Sequence, residues 1–207
     1  MIAFLHTSPV HIDRFERLVR KYHPTIAIQH FVKEDILQTA LANGQLDKIT
    51  FLDTIQAIQK NKPSLTICTC STYGQLCDQL STVHRIDQPI VREIVAKYSS
   101  IAVAYTAHST KAISLDILHQ TAKRQGKLIR IIECDCTHCW PYFEAGDIKK
   151  YETEIAKTIR AETNKSEVVF LAQASMEGAA AYLNDLKQAV VSSPEFGIKT
   201  LLQSLES

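Results

Sequence analysis

The stretch ICTCSTYGQL, residues 67–76, decides how the fold of this chain is interpreted. An apolar run ends at Cys70, the hydroxyl residues Ser71 and Thr72 follow at once, and a helix-like segment comes directly behind them. A buried strand that stops at small polar residues and continues as a helix is typical of a βα unit. The stretch therefore predicts an α/β fold, with a thiol and two hydroxyls at the carboxyl end of a strand.

The same alternation of short apolar runs and helical patterns continues along the chain, which favours a mainly parallel sheet flanked by helices. One helical pattern, residues 47–60, carries an amphipathic stripe at steps of three, formed by Ile49, Leu52, Ile55 and Ile58. The predicted strands are 2–5, 25–29, 65–69, 101–105, 128–132, 168–171 and 189–191, and the predicted helices are 11–22, 47–60, 89–98, 109–125, 147–160, 177–186 and 195–205.

A weak internal repeat indicates two similar halves. FLHTSPVH (4–11) and VAYTAHST (103–110) are each a strand, a threonine, a small polar turn and the start of a helix. Chance similarity between two βα turns is one explanation, and duplication of an α/β lobe is the other. On the second explanation we expect two pseudo-symmetric lobes, the first formed by residues 1–97 and 188–207 and the second by residues 98–187.

Four strand ends are the candidate binding region. Thr7 precedes Cys70, and Thr106 precedes Gln173, by nearly the same interval, and each interval ends where an apolar strand runs into a small polar turn. In open parallel sheets, ligands bind outside the carboxyl ends of the strands. We therefore expect these four turns to converge on one ligand, in a cleft between the lobes.

Composition narrows the class of protein. The chain has 207 residues, 45% of them hydrophobic, and a formal net charge of +1. It can bury a proper core, and its balanced charge argues against a nucleic-acid partner. Its apolar runs are shorter than the roughly 20 residues that span a bilayer, and its N-terminus lacks a signal-peptide pattern. We therefore expect no membrane association, reduced thiols and a cytoplasmic location.

Cys70 has two interpretations from its local sequence. A cysteine at a helix N-terminus is close to free backbone N–H groups and the positive end of the dipole, which favour the thiolate. The same groups, with the hydroxyls of Ser71 and Thr72, suit an anionic ligand such as a carboxylate. Alternatively, Cys70 is a small buried hydrophobe and Ser71 caps the helix.

The chain resembles the aspartate/glutamate/hydantoin racemase superfamily over nearly its whole length. The resemblance is carried, in order, by FLHTSPVHIDRFERL, TCSTYG, HRIDQPIVREIV, VFLAQASM and SSPEFG. It implies two pseudo-symmetric lobes with a cleft between them, and cofactor-independent catalysis by two cysteines on opposite faces of the substrate α-carbon. The first cysteine maps onto Cys70. The second maps onto Gln173, whose amide cannot act as a base, so the two-base scheme lacks one partner.

The combined hypothesis is a racemase- or isomerase-like enzyme that acts on a small carboxylate, an amino acid or a hydantoin-type compound, without a metal or cofactor. Cys70 is its catalytic thiol. A decarboxylase-type lyase that uses a single thiol and a non-catalytic small-acid binding protein are the alternatives, and a homo-oligomer is left open. The predicted substrate-binding residues are Thr7, Ser8, Ser71, Thr72, Thr106, Ser109 and Thr110, with Gln173 and Ser175 on the far side of the pocket.

Three other groups could carry chemistry. ECDCTHCWPYF (133–143) has cysteine and histidine spacing that could bind zinc or form a redox pair, or place a thiol near the cleft. Histidines beside the predicted turns are structural hydrogen-bonding residues or bases. An arginine and an aspartate in HRIDQP are expected to pair and to brace the connection between lobes. These residues are Cys134, Cys136, His138 and Cys139; His6, His11 and His108; and Arg85 and Asp87.

Overall fold

The computed structural model describes residues 1–43, 45–163 and 165–205, except the side chains of Leu41 and Asn43. It divides into two compact units. Unit 1 comprises Met1–Pro89 and the C-terminal segment from Pro194, and unit 2 comprises Ile90–Ser193. Within the described ranges, no helix is both long and apolar enough to cross a lipid bilayer.

Strands and helices alternate along the chain, as predicted. In chain order they are β1 Ile2–His6, α1 Ile12–Tyr22, β2 Ile28–Val32, α2 Glu34–Asn43, α3 Lys48–Gln59, β3 Leu65–Cys68, α4 Gly74–Cys77, β4 His84–Arg85, α5 Gln88–Lys97, β5 Ser100–Tyr105, α6 His108–Arg124, β6 Arg130–Asp135, α7 Trp140–Glu144, α8 Ile148–Glu162, β7 Val168–Leu171, β8 Ala189–Ser192 and α9 Ser193–Gln203. Segments of 3-10 helix are Pro9–His11, Ser71–Tyr73, Thr137–Cys139 and Ala174–Tyr182.

Each unit contains one four-stranded sheet. The strand order is β2-β1-β3-β4 in unit 1 and β6-β5-β7-β8 in unit 2, and every pair is parallel. The central strands are apolar and buried, as expected for parallel strands covered on both faces. Because the two orders are the same, the chain contains the same α/β arrangement twice. The predicted fold class of two similar parallel α/β lobes is confirmed.

Two edge strands lie later in the sequence than predicted. The strand expected at 25–29 is Ile28–Val32, and the strand expected at 128–132 is Arg130–Asp135. Leu128, which suggested the earlier start, is 96% exposed. Hydrogen bonding to the central strand sets the register, and an edge strand tolerates polar residues, so the apolar run was a poor guide to its ends.

Several shorter elements differ from the prediction. The sequence indicated neither the two-residue β4 nor the helices α2 and α7, and the helix expected at 177–186 is instead the 3-10 segment Ala174–Tyr182. The helix-like segment expected behind Ser71 and Thr72 is the four-residue α4. Because α7 has only five residues, it is too short to show a helical period.

The buried face of α3 is not the predicted stripe. Ile49 is 76% exposed and Leu52 is 42% exposed, whereas Phe51, Ile55 and Ile58 are buried. Steps of three residues rotate the stripe by about 60° per step on a helix of 3.6 residues per turn. The first half of the predicted stripe therefore faces solvent, and the core is formed from the neighbouring positions.

The unit boundaries also lie elsewhere than the predicted lobe boundaries. Residues 188–207 were expected to belong to the first lobe, but β8 (Ala189–Ser192) pairs with β7 in the sheet of unit 2. The chain returns to unit 1 at Pro194. There Gly197 of α9 approaches Ile86 so closely that a Cβ atom would lie 2.3 Å from the Ile86 carbonyl oxygen.

Candidate functional site

In unit 1, Thr7 and Cys70 lie side by side at the carboxyl edge of the sheet. They follow β1 and β3, which pair residues 63 positions apart in sequence. The Thr7 hydroxyl and the backbone N–H groups of Thr72 and Tyr73 lie near the Cys70 sulfur and lower its pKa as hydrogen-bond donors, and the Tyr73 N–H also donates to the Cys70 carbonyl oxygen at 3.2 Å. The structure therefore surrounds the sulfur with three hydrogen-bond donors.

The protonation state of Cys70 differs from the expected one. Burial raises the pKa of the Cys70 thiol to about 11, with a further rise from the nearby Cys68, although the three donors act in the opposite direction. The expected thiolate relied on a helix dipole, but the helical segment is one 3-10 turn followed by the four-residue α4. Such a short segment has a weak dipole, so burial dominates. At neutral pH, Cys70 is a thiol that can donate a proton.

Two more thiols lie behind Cys70. Cys68 and Cys77 are buried, and the hydrogen bond between them lowers the pKa of Cys68 and raises that of Cys77. Both belong to the apolar cluster on the α3 side of the sheet. Cys77 is therefore a core residue of unit 1.

The hydroxyl residues predicted around Cys70 lie in the turns that follow β1 and β3. Ser8 is partly exposed and precedes the 3-10 turn Pro9–His11. Ser71 and Thr72 are buried in the turn that follows Cys70. Their contact with a ligand stays a prediction.

In unit 2, Thr106 and Gln173 occupy the matching strand ends. Strands β5 and β7 pair residues 67 positions apart. The Thr106 backbone N–H donates to Gln173 Oε1 at 2.6 Å, and the Thr106 hydroxyl donates to the same oxygen at 3.1 Å. Behind them, Tyr151 OH lies 2.9 Å from Thr106 Oγ1 and 2.9 Å from Ser175 Oγ. Predicted residues Thr106, Gln173 and Ser175 are thus joined through one tyrosine.

Tyr151 is the member of this cluster that sequence reasoning missed. Its position in α8 corresponds to that of Phe51 in α3, since each lies four residues after an aspartate that caps its helix, Asp147 and Asp47. Burial raises the pKa of Tyr151 to about 12, against the effect of its hydrogen bonds with Ser175 and Thr106. Comparison of the two capped helices could have revealed a hydroxyl where the first repeat has none.

The remaining predicted residues of unit 2 lie in the first turn of α6, the helix that follows Thr106. Thr110 is buried and Ser109 is partly exposed. Their part in binding an anion stays a prediction, as does the prediction that the clusters of both units line one site.

The histidines beside the turns differ in environment. His6 is buried, with Nδ1 at 2.8 Å from Thr69 Oγ1 and Nε2 at 2.8 Å from His30 Nδ1. Burial, aided by His30 and His11, lowers the pKa of His6 to about 3. Burial also lowers the pKa of His11 to about 4, with Arg14 contributing. These values leave both rings neutral near pH 7, in keeping with a structural role.

The cysteines at 134–139 belong to the core of unit 2. Cys134, Cys136 and Cys139 are fully buried; Sγ of Cys134 lies 3.9 Å from Sγ of Cys136, and Sγ of Cys139 lies 3.4 Å from Nε2 of His138. The hydrogen bond to Cys134, with burial, raises the pKa of Cys136 far above its ordinary value. Among the described residues, no three histidine, cysteine or acidic side chains form a group that could hold a metal ion.

Arg85 and Asp87 form the expected ion pair. Both side chains are buried; Nε and Nη2 of Arg85 donate to Asp87 at 2.6 and 2.8 Å, and Nη1 donates to Asp78 at 2.8 Å. Gly74 makes room for this arginine, since a Cβ there would lie 2.3 Å from Arg85 Cζ. Through Asp78, which follows α4, Arg85 ties the end of β4 to α4 within unit 1. Bracing of the connection between lobes stays a prediction.

A cavity of about 440 Å³ lies elsewhere in unit 1, between α3 and the segment before β4. It contains none of the predicted site residues. It is lined by Leu52, Ile55, Gln56, Gln59, Lys60, Leu80 and Thr82.

Comparison with known proteins relates this arrangement to solved structures. A scan against family models and a search of curated proteins found no match. Aspartate racemase from Picrophilus torridus is similar with a TM-score of 0.74 and 14% identity, over 99% of this chain and 94% of that one. Glutamate racemase from Francisella tularensis, solved with D-glutamate, has a TM-score of 0.72 and 12% identity, over 99% of this chain and 80% of its own.

A mutant of arylmalonate decarboxylase is also similar, with a TM-score of 0.57 and 9% identity, over 100% of this chain and 93% of that one. At such identities the likeness concerns the fold. As the resemblance in the sequence predicts, the chain has the same fold as these aspartate and glutamate racemases and as arylmalonate decarboxylase.

Proposed function

We propose that the chain is a cofactor-independent, racemase-like enzyme that transfers a proton at the α-carbon of a small carboxylate, with Cys70 as the acid/base group. The observation that carries the proposal is the Cys70 sulfur at a strand end, with donors from Thr7, Thr72 and Tyr73 around it. Hydrogen bonds to a sulfur stabilise its thiolate, which is the form left when the thiol gives up a proton. The D-glutamate of the Francisella structure supports a carboxylate substrate.

The mechanism starts from the thiol, because burial holds the pKa of Cys70 at about 11. Protonation of a substrate carbanion uses this form directly, and the donors around the sulfur stabilise the thiolate that remains. Removal of an α-proton uses the thiolate, which is a minor form near pH 7. Cys70 is therefore better suited as an acid than as a base.

This asymmetry favours a second candidate, a decarboxylase-type lyase. Full racemisation needs a proton carrier on each face of the α-carbon. The position that matches Cys70 in unit 2 is Gln173, and the titratable group bonded to its network is Tyr151, whose pKa is about 12. Decarboxylation of a substituted malonate breaks the C–C bond to CO₂ and leaves a carbanion, which one thiol can protonate. The similarity of fold to arylmalonate decarboxylase agrees with this alternative.

The experiment compares wild type with Cys70→Ser and with Cys77→Ser as a matched thiol control. A panel of chiral amino acids, hydantoins and substituted malonates is incubated in deuterated water, and α-deuteration and CO₂ release are followed by NMR. We expect turnover that is lost in Cys70→Ser and kept in Cys77→Ser. Turnover that survives in Cys70→Ser would refute the thiol assignment.

The products separate the candidate functions. A racemase gives deuterium in both enantiomers, whereas the lyase releases CO₂ and deuterates one face. Saturable binding with neither reaction would instead identify the non-catalytic binding protein.

A further inference from the structure

Unit 2 contains a buried chain of hydrogen bonds that ends at Gln173. It runs from Ser175 through Tyr151 and Thr106 to the side-chain amide, with distances of 2.9, 2.9 and 3.1 Å. Thr106 and Tyr151 are essentially inaccessible to solvent, and Gln173 is 9% exposed. Ser175, at the opposite end, is 8% exposed, so both ends of this hydrogen-bond chain have slight contact with solvent.

The direction of every hydrogen bond in this chain is determined by the number of available hydrogens. A backbone N–H can only donate, so the Gln173 atom at 2.6 Å from the Thr106 nitrogen must be Oε1. The Thr106 hydroxyl donates its single hydrogen to the same oxygen, and Tyr151 must therefore donate to Thr106. Since the Tyr151 hydrogen is then used, Ser175 must donate to Tyr151.

This polarity fixes the orientation of the amide. With Oε1 held by two donors from Thr106, the Nε2 group lies on the other side of the side-chain carbon and takes no part in the chain. We infer that Gln173 uses Nε2 to donate a hydrogen bond to an oxygen atom of the ligand, and that Tyr151 and Ser175 are positioning residues for this amide. The inference rests on the proposed function, in which the ligand is a small carboxylate.

The inference also defines the group that is recognised. An NH₂ donor binds a carboxylate or carbonyl oxygen and does not bind an ammonium group. This chain of hydrogen bonds occurs in unit 2 and has no equivalent among the described residues of unit 1. There Phe51 lies at the position of Tyr151, and the Thr7 hydroxyl donates to a sulfur. Where unit 1 has a thiol after its second central strand, unit 2 therefore has an oriented donor.

The first test replaces Gln173 with Glu. The new carboxylate keeps an oxygen for the two Thr106 donors but places a second oxygen where Nε2 was. NMR titration with malonate follows the Gln173 side-chain amide and the backbone signals of the strand ends, with Gln120→Glu on the exposed face of α6 as the charge-matched control. We expect a saturable shift of the Gln173 Nε2 hydrogens in wild type and about ten- to hundredfold weaker binding in Gln173→Glu at pH 7.5.

The substituted carboxyl also provides a gain-of-binding test. When it is protonated at lower pH, its O–H donates from the place of Nε2, so malonate affinity in Gln173→Glu should approach that of wild type measured at the same pH. If Gln173 has a purely structural role, lower pH will not restore binding.

The second test removes only the tyrosine hydroxyl. Tyr151→Phe removes the donor that holds the Thr106 hydroxyl in place beside Gln173, so we expect doubled or broadened amide signals of Gln173 and about two- to tenfold weaker malonate binding. Tyr142→Phe, a partly exposed tyrosine of the same unit, is the matched control and should change neither.

The outcomes separate this inference from the proposed function. Saturable shifts at Thr7 and Cys70 without a shift of the Gln173 amide would overturn the inference and leave the proposed function intact. A shifted Gln173 amide with no turnover of any compound would support the inference and refute the proposed chemistry. No saturable shift anywhere would overturn both.

Discussion

Acidification is expected to destabilise the fold through His6. This ring is buried, stacks on Phe4 and His30, and uses both nitrogens in hydrogen bonds at 2.8 Å. Its pKa is about 3 in the folded protein, against an ordinary value of 6.5. Between these values the unfolded chain binds more protons than the folded one, so stability is complete above about pH 6.5 and decreases as the pH falls toward 3.

The size of the stability loss follows from the pH interval between the folded and unfolded pKa values of His6. Each pH unit inside it is equivalent to about 1.4 kcal/mol per histidine, so at pH 5 His6 accounts for roughly 2 kcal/mol of lost stability. His11, whose pKa is about 4, adds a loss of roughly the same size at that pH. A combined loss of roughly 4 kcal/mol is a large fraction of the stability of an ordinary domain.

Urea unfolding at pH 7.5, 6.5 and 5, for wild type and His6→Asn, measures this loss. The variant is less stable at pH 7.5 because contacts to Thr69 and His30 are lost, but between pH 7.5 and 5 it should lose roughly 2 kcal/mol less than wild type. His119→Asn, at an exposed position of α6, is the control and should keep the wild-type slope. Parallel pH dependences for wild type and His6→Asn, or an NMR titration of the His6 ring with a midpoint near 6.5, would refute the argument.

Three further outcomes follow from the same structure. Alkylation of Cys70 by iodoacetamide should accelerate about tenfold per pH unit between pH 7 and 10, as judged by mass spectrometry, and a rate that levels off above pH 8 would contradict the raised pKa. Phe51→Ala should cost about 3–5 kcal/mol in urea unfolding, whereas Ile49→Ala should change stability by less than about 0.5 kcal/mol; equal effects would contradict the observed face of α3. Asp87→Asn leaves Arg85 buried with a weakened partner and should cost about 3–5 kcal/mol in the same assay, and a near-neutral result would show that Asp78 suffices.

The sequence predicted the fold where hydrophobicity alone determines an element. Strand β7 was predicted with its observed ends, and β1 and β5 within one residue, because central parallel strands are apolar on both faces. The edge strands β2 and β6 were displaced because their positions depend on hydrogen bonding to a neighbour that local sequence does not show.

The residues of the candidate site also divide into those that the sequence could predict and those that it could not. The turn positions of Thr7, Cys70, Thr106 and Gln173 could be predicted from the sequence because each lies one or two residues after a buried strand. Tyr151 was missed because an aromatic residue on the apolar face of a helix resembles a core residue, and only comparison with Phe51 in the first repeat would have drawn attention to its hydroxyl. The pKa of Cys70 was also inaccessible, since it depends on burial in the folded unit.

The two units show how one scaffold can acquire two kinds of strand-end chemistry. In each unit, a threonine that follows the first central strand, Thr7 or Thr106, donates to a side chain that follows the second central strand. The threonine is the same in both units, and the acceptor differs. In unit 1 the acceptor is the Cys70 sulfur, which can exchange a proton. In unit 2 the acceptor is the Gln173 oxygen, and because this oxygen is held by Thr106, the amide nitrogen lies on the side away from Thr106. On the proposed function and the inferred role of Gln173, changing one side chain replaces proton transfer with hydrogen-bond donation, which suits a reaction in which one thiol transfers the proton.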